Sequence, residues 1–181
     1  MRIISGKFKG RVISAPKNLP TRPTTDYAKE GLFNILQHQF EIENSTVLDL
    51  FCGTGNISFE FLSREAREVI SVDINQNCVK FVIDVSKKLN LSNHKVIRDD
   101  SLNFIKKAKT KFDIIFADPP YALKNIDAIP KLIFDNHLLN TNGLLIVEHG
   151  KDTDLSQIAN FDSHRKYGNV NFSFFLNKPN E

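Results

Sequence analysis

Tryptophan is absent from the 181 residues and cysteine occurs only twice. Cys52 and Cys78 form no CxxC pair and the five histidines are scattered, so neither a disulfide framework nor a zinc site is suggested, and a reducing cytoplasm fits. No apolar run approaches the ~20 residues that a membrane span needs. The opening Met1-Arg-Ile-Ile-Ser-Gly-Lys-Phe-Lys-Gly10 lacks the apolar core of a signal peptide, so no membrane partner is expected. Internal repeats and low-complexity segments are missing too. What remains is about one domain's worth of chain, 41% hydrophobic with 15 phenylalanines, enough for a packed core.

Charge is unevenly placed. The net is only +3, yet residues 1–30 hold seven basic and two acidic side chains, a net of +5, which leaves −2 for the remainder. A basic arm on a mildly acidic body suits a phosphate backbone, although lysine and arginine also protect exposed strand edges. Arg2–Ser5 and Arg11–Ser14 read as two short strands about a glycine-flanked turn. Phe8, at the tip between Lys7 and Lys9, is either a small packing contact or a stacking platform for a base. We expect residues 1–22 to form this hairpin arm and a Pro-rich linker, and residues 23–181 the main domain. Thr25 or Asp26 is a good cap for a helix whose apolar face is Ala28, Leu32, Ile35 and Leu36. Lys29 and Glu30 are expected off that face, in a solvated first turn.

The stretch from Val47 to Asn56 organises the rest. Val47, Leu48 and Leu50 predict a buried strand, Gly53 and Gly55 break it, and a helix is expected from Ile57 to about Arg67. A strand, a glycine turn and a helix together make a site for a nucleotide-like ligand. Gly53-x-Gly55-x-x-Ser58 nearly matches a dinucleotide fingerprint, with Asp73 where a ribose-binding acid would stand. Asp49 argues otherwise. A carboxylate ahead of the loop repels a pyrophosphate but suits an ammonium, which S-adenosylmethionine carries.

Further strands are predicted at Val69–Asp73, Lys95–Arg98, Phe112–Ala117 and Leu144–Glu148. A helix is expected near Ile126–Leu138, with Pro130 in its first turn, and a turn at Asn142-Gly143. The closing runs His164–Gly168 and Val170–Leu176 read as a hairpin that adds an antiparallel strand. This alternation predicts an α/β fold with a mostly parallel sheet. Ligands of such sheets bind outside the carboxyl ends of the strands, where Asp73 can accept from ribose hydroxyls and Asp99 or Asp100 from an adenine amino group.

The fourth strand delivers Asp118-Pro-Pro-Tyr121. Two prolines remove two N–H donors and stiffen the turn. They leave a rigid set of acceptors, the Asp118 side chain and the carbonyls around Pro119, with Tyr121 as a flat face. That set fits the exocyclic amine of a purine. Holding both amine hydrogens frees the nitrogen lone pair to attack a sulfonium methyl, and the acceptors stabilise the charge that moves to nitrogen. Cys52 lies inside the glycine loop and is not read as a nucleophile.

With these residues in place, the chain resembles the RsmD family of 16S ribosomal RNA guanine-N2-methyltransferases. The resemblance is carried by the opening Met1–Gly10 stretch, Arg22-Pro-Thr-Thr-Asp26 with Lys29-Glu30 and Leu32-Phe-Asn34, Leu48–Gly55, Asp118-Pro-Pro-Tyr121 and Lys166-Tyr-Gly168. It implies a Rossmann-like seven-stranded sheet with an antiparallel C-terminal strand and an N-terminal hairpin. It also implies S-adenosyl-L-methionine as cofactor, contacts at Asp49, Gly53, Gly55, Asp73 and Asp100, and Thr24 and Asp26 lining the pocket. Catalysis is expected at Asp118, Pro119 and Tyr121, and RNA contact at Lys7, Phe8, Lys9 and Arg11. The implied partner is 16S ribosomal RNA within a small-subunit assembly particle, met by a monomer. Asn56 and Ser58, where small residues are common, are expected to matter little. The alternatives are an adenine amino-methyltransferase acting on RNA or DNA, and a binding module or nicotinamide enzyme reusing the sheet.

Overall fold

The computed structural model describes residues 1–16, 19 and 24–179. Arg22 and the prolines at 20 and 23 of the expected linker lie outside the described residues. Among the described residues seven strands form one sheet: β1 (Thr46–Leu50), β2 (Glu68–Asp73), β3 (His94–Arg98), β4 (Phe112–Ala117), β5 (Leu139–His149), β6 (Phe161–Tyr167) and β7 (Val170–Leu176). Their order is β3-β2-β1-β4-β5-β7-β6. The first five are parallel, and β7 lies antiparallel between β5 and β6. The expected α/β architecture and its antiparallel close are therefore present. Chain order turns back between β1 and β4, and a doubly wound sheet opens its ligand crevice at such a point.

Among the described residues five helices cover the faces: α1 (Asp26–Gln39), α2 (Asn56–Ser63), α3 (Gln76–Lys88), α4 (Ser101–Lys107) and α5 (Ala128–Asp135). Strand alternation assigns the faces. Val47, Phe116 and Ile146 pack with Leu32 of α1, Phe59 of α2 and Val82 of α3. Leu48, Ile115 and Leu145 pack with Ile105 of α4 and Ile129 and Ile133 of α5. A period of two then turns Asp49, Ser71 and Glu148 toward the α1–α3 side.

Three expected boundaries move. Helix α2 stops at Ser63, capped by Arg64 and followed by Glu65 at φ 65°, well short of Arg67. Helix α5 is shorter than expected at both ends but keeps Pro130 in its first turn, where the missing N–H costs nothing. Asn142 and Gly143 do not form a turn ahead of the strand. They form an irregularity inside β5, whose register with β4 jumps from Leu139↔Phe112 to Leu144↔Ile114.

The N-terminal hairpin is present and docked. A single antiparallel bridge between Arg2 and Val12 stands in place of the two expected strands, and Ile3 and Ile13 are buried in the same core as α1 and α2. Its outer side lies on α2: the amides of Ile4 and Ser5 donate to Glu60 at 2.9 and 3.0 Å, and the Lys7 amide donates to the Ser63 carbonyl at 2.7 Å. Gly6 makes this approach possible. Its φ is +80°, and a Cβ there would lie 1.8 Å from the Ser63 oxygen. Lys29 corrects the sequence reading: it is 1% exposed and points into the body rather than to solvent.

Candidate active site

The loop after β1 is held by unusual backbone. Phe51, Gly53 and Gly55 have φ of 61°, 53° and 75°, and the phenylalanine is the uncommon case in that region. Gly55 is the N-cap of α2 with no side-chain bond, and a Cβ on it would lie 2.9 Å from the Phe59 ring. Asp73, at the end of β2, fixes the loop by accepting from the Gly53 amide and the Asn75 amide, each at 2.8 Å. It does not cap the following helix, a task Asn75 performs.

These groups open onto a cavity of about 500 Å³ whose walls include Asp49, Gly53, Asp73, Asp100, Asp118 and Tyr121, a size suited to a small-molecule cofactor. Of the two neighbouring acids after β3, Asp100 faces the cavity and also caps α4 through the Asn103 amide at 2.9 Å. Asp99 turns to Lys107 at 3.6 Å. Asp49 is buried on the strand and bonded to the amide and hydroxyl of Ser58. Burial raises its pKa to about 7 against those hydrogen bonds, with Asp73 adding to the rise.

Asp118 follows the last residue of β4, with its amide 3.4 Å from the Leu50 carbonyl. Ala117 is paired with Val147, so the residue after each, Asp118 and Glu148, come side by side. Burial, then Glu148, then Asp49 push the Asp118 carboxyl well above the usual carboxylate range. Pro119 and Pro120 line the cavity, and Tyr121 stands 67% exposed at its edge. Gly150 leaves room for that ring, since a Cβ there would come 3.3 Å from Tyr121 Cε1.

A family model described as conserved hypothetical protein 95 matches residues 1–176. The chain is 30% identical over 186 residues to the ribosomal RNA small subunit methyltransferase D of Buchnera aphidicola subsp. Baizongia pistaciae, spanning 99% of this chain and 93% of that one. The chain belongs to the RsmD family. Its likeness to the ribosomal RNA small subunit methyltransferase D of Haemophilus influenzae is 32% over 183 residues, 98% of this chain and 94% of the other. A solved structure from Escherichia coli, provisionally assigned as a methyltransferase, superimposes with a TM-score of 0.88 at 26% identity over 99% of both chains.

In this RsmD-family chain the expected pocket residues do not all converge. Thr24 lines the cavity and donates to Glu148 at 2.8 Å. Asp26 does not line it; it is exposed and sits 3.6 Å from Arg2, because the helix cap is Thr25 and the next side chain turns outward. Lys7, Lys9 and Arg11 are exposed. Phe8 is half-buried against the core, with Lys7 and Arg11 over its ring at 5.7 and 5.6 Å. The arm meets the glycine loop where Thr54 Oγ1 lies 3.8 Å from Met1 Sδ.

Sequence reasoning passed over four residues that build the site. Asn56 donates to the Thr24 carbonyl at 3.0 Å and accepts from Lys29 at 2.9 Å. Lys29 also donates to the Arg2 carbonyl at 2.6 Å and pairs with Glu60 at 3.4 Å. One buried polar chain thus joins Glu148, Thr24, Asn56 and Lys29 to the hairpin. A signal existed for Lys29, which falls at i, i+3 and i+7 with Leu32 and Leu36 on the buried stripe. Glu148 was legible as the acid ending the strand next to Asp118. Ser58 carries the bonds to Asp49.

Proposed function

We propose that this protein transfers a methyl group from S-adenosylmethionine to the 2-amino group of a guanine in small-subunit ribosomal RNA. The observation that carries this reading is that Asp118-Pro-Pro-Tyr121 shares one cavity wall system with the glycine loop and with Asp49 and Asp73. The donor set fits the cofactor: Asp49 for an ammonium, Asp73 for ribose hydroxyls, Asp100 for an adenine amine, and Gly53 and Gly55 for close backbone approach. Thr24 completes the wall and Glu148 holds it. When bound, S-adenosylmethionine supplies an electrophilic methyl on a sulfonium.

The protein's part is to hold and polarise the acceptor. The Asp118 carboxylate and the carbonyl beside Pro119 take the two amine hydrogens, and Tyr121 stacks on the ring. Both prolines keep these acceptors rigid, so no reorganisation accompanies the shift of charge to nitrogen. Ionised Asp118 is the stronger acceptor and the one that stabilises positive charge on nitrogen, and burial together with the neighbouring carboxylates opposes its ionisation. Positive charge in the cavity relieves that repulsion, so Asp118 becomes the stronger, ionised acceptor when the cationic cofactor site is filled. The amine proton leaves later to Asp118 or water.

The exposed Lys7, Lys9 and Arg11 hold the RNA backbone, with Phe8 beside them, and residues 1–22 serve as the RNA arm of a monomeric enzyme. The substrate is 16S ribosomal RNA in a partly assembled subunit, in the cytoplasm. A base in a stem must be unstacked to reach Asp118, at a cost of a few kcal/mol. Mass analysis of ribosomal RNA nucleosides from a deletion strain, with rescue by the wild-type protein, tests this. Loss of a methylguanine supports the reading, loss of a methyladenine moves it to the alternative base, and no change overturns it.

A further inference from the structure

A second string of buried polar groups leaves Asp49 in the other direction, toward α3. Asp49 Oδ2 is bonded to the Ser58 hydroxyl, and Ser58 Oγ lies 2.6 Å from Ser71 Oγ. Ser71 Oγ lies 2.7 Å from His94 Nε2. On the far side of the ring, His94 Nδ1 lies 2.7 Å from Ser86 Oγ, which reaches the Val82 carbonyl at 2.7 Å. Asp49 and the three serines are buried, and the imidazole packs edge-on against Phe59 at 5.5 Å.

These are five links in series, and each needs one proton. An ionised Asp49 and a neutral His94 supply four, one from each serine and one from the ring. The fifth must sit on Asp49 or be a second proton on His94. With it on Asp49, all five links run one way: Asp49 donates to Ser58, Ser58 to Ser71, Ser71 to His94 Nε2, the Nδ1–H to Ser86, and Ser86 to the Val82 carbonyl. This arrangement buries no charge, whereas the other buries two. Desolvation acts the same way on both ends, raising Asp49 to about 7 and lowering His94 to about 4.

We propose that His94 is the relay in a hydrogen-bonded wire, ending on the Val82 carbonyl, that keeps Asp49 protonated until a cationic ligand arrives, so that cofactor binding expels one proton from Asp49. The proposal rests on the reading that Asp49 meets the cofactor's ammonium. On binding, the Asp49 O–H bond breaks and the proton leaves to solvent through the cavity. Four protons then serve the string. Ser58 and Ser71 turn to donate toward Asp49, and the His94 ring changes from the Nδ1–H to the Nε2–H tautomer. Ser86 leaves the Val82 carbonyl to donate to Nδ1. His94 acts through two serines and is a positioning residue.

Other groups facing the two ends work in the same direction or stand aside. Asp73 from β2 disfavours a charge on Asp49, an ionised Asp49 in turn disfavours one on Asp118 from β4, and the Cys52 thiol beside Asp49 is pushed up by burial. Around His94 stand Ser71 from β2, Phe59 from α2 and Ser86 from α3. Its chain neighbour Lys95 is paired with Glu68 at 2.5 Å.

The first test needs no ligand. Nitrogen NMR of the His94 ring in the ligand-free full chain at pH 6 should show a neutral Nδ1–H tautomer; a neutral Nε2–H ring or an imidazolium overturns the wire. The second uses S-adenosylhomocysteine, which keeps the ammonium without a transferable methyl. Calorimetry in buffers of different ionisation heat should show close to one proton released at pH 6. Affinity should rise about tenfold per pH unit up to the Asp49 titration and then level off. Tight binding with no pH dependence between 5.5 and 8 overturns the proposal. Ser71→Ala removes the acceptor behind Ser58, so the titration should move down by a pH unit or more; His94→Asn does the same from the other end. An unmoved titration in either folded variant counts against the wire. Absence of any binding would instead sink the cofactor reading, while the ligand-free ring state would still decide the wire.

Discussion

Two buried acidic clusters lie on the same side of the sheet and are built in opposite ways. Glu60, wholly buried on α2, meets Arg64 at 2.9 Å, Lys29 at 3.4 Å and two hairpin amides. At the mouth of the sheet, Asp118 and Asp49 meet chiefly hydroxyls, amides and other carboxylates. One cluster neutralises its charge within the fold. The other holds acids that burial and one another keep from ionising, a balance that a cationic ligand tips. The first is therefore a joint between the hairpin and the body, and the second is where stability is given up for function.

The largest contrast is in folding. Removing one member of a buried pair strands the other's charge, so Glu60→Ala should destabilise the protein by about 3–5 kcal/mol, measured by urea unfolding. Asp118→Asn should act the other way. Its carboxyl has a raised folded pKa, so the folded state binds more protons than the unfolded chain and loses stability as pH rises above the ordinary carboxylate value. The amide removes that penalty. Melting at pH 8 should rise, by roughly 2–4 °C for each kcal/mol relieved. A Glu60 variant as stable as wild type, or an Asp118 variant that melts lower, would erase the distinction.

Turnover separates the clusters next. Asp118→Ala should lower the methylation rate by about 10²–10³-fold, the cost of losing one preorganised polar partner, while S-adenosylhomocysteine affinity by calorimetry changes little. Full activity would refute its role. The same carboxyl sets the pH profile. Since ionised Asp118 stabilises the charge on nitrogen better than the neutral acid and its pKa is raised, the rate should fall as pH drops, with an inflection above the usual carboxylate range. A flat profile from pH 5 to 8 would show that the amine is held by other groups.

The two clusters also differed in how far the residues alone revealed them. Asp49, Asp73, Asp100 and Asp118 announce themselves because strand-end position is a local property: a few apolar residues, then an acid, then a breaker. The parallel sheet then brings those ends together whatever the exact packing. Lys29, Glu60 and Arg64 belong to a joint between a hairpin and two helices. Nothing nearby in the chain says that Lys29 Nζ will meet the Arg2 carbonyl 27 residues away. Asp26 erred in reverse. It lies beside Thr24 in sequence, but one helical step turns it to Arg2. His94 and its serines were invisible because only three-dimensional register places them end to end.

Asn56 sits between the clusters and sharpens the comparison with a smaller effect. It bonds to both Lys29 and Thr24, so Asn56→Ala should weaken S-adenosylhomocysteine binding about 5- to 10-fold, the scale of one or two hydrogen bonds. A binding constant equal to wild type would mean that the glycine loop holds its shape without the joint.

The smallest effect is expected at the arm. Lys7, Lys9 and Arg11 are exposed and flank Phe8, so each can displace a condensed cation from a phosphate without any desolvation of the fold. Neutralising all three should leave melting temperature and cofactor affinity unchanged, and should reduce the slope of log affinity for RNA against log salt by about 2 to 3. Phe8→Ala offers the matching control, because its ring is packed against the core and covered by two cations. If Phe8 only supports the arm, that variant should lower stability while keeping the salt slope. If it stacks a base, RNA affinity should fall equally at all salt concentrations. An unchanged slope in the triple variant would make the basic residues protectors of an exposed edge, and RNA contact would then have to be sought around Tyr121 at the cavity mouth.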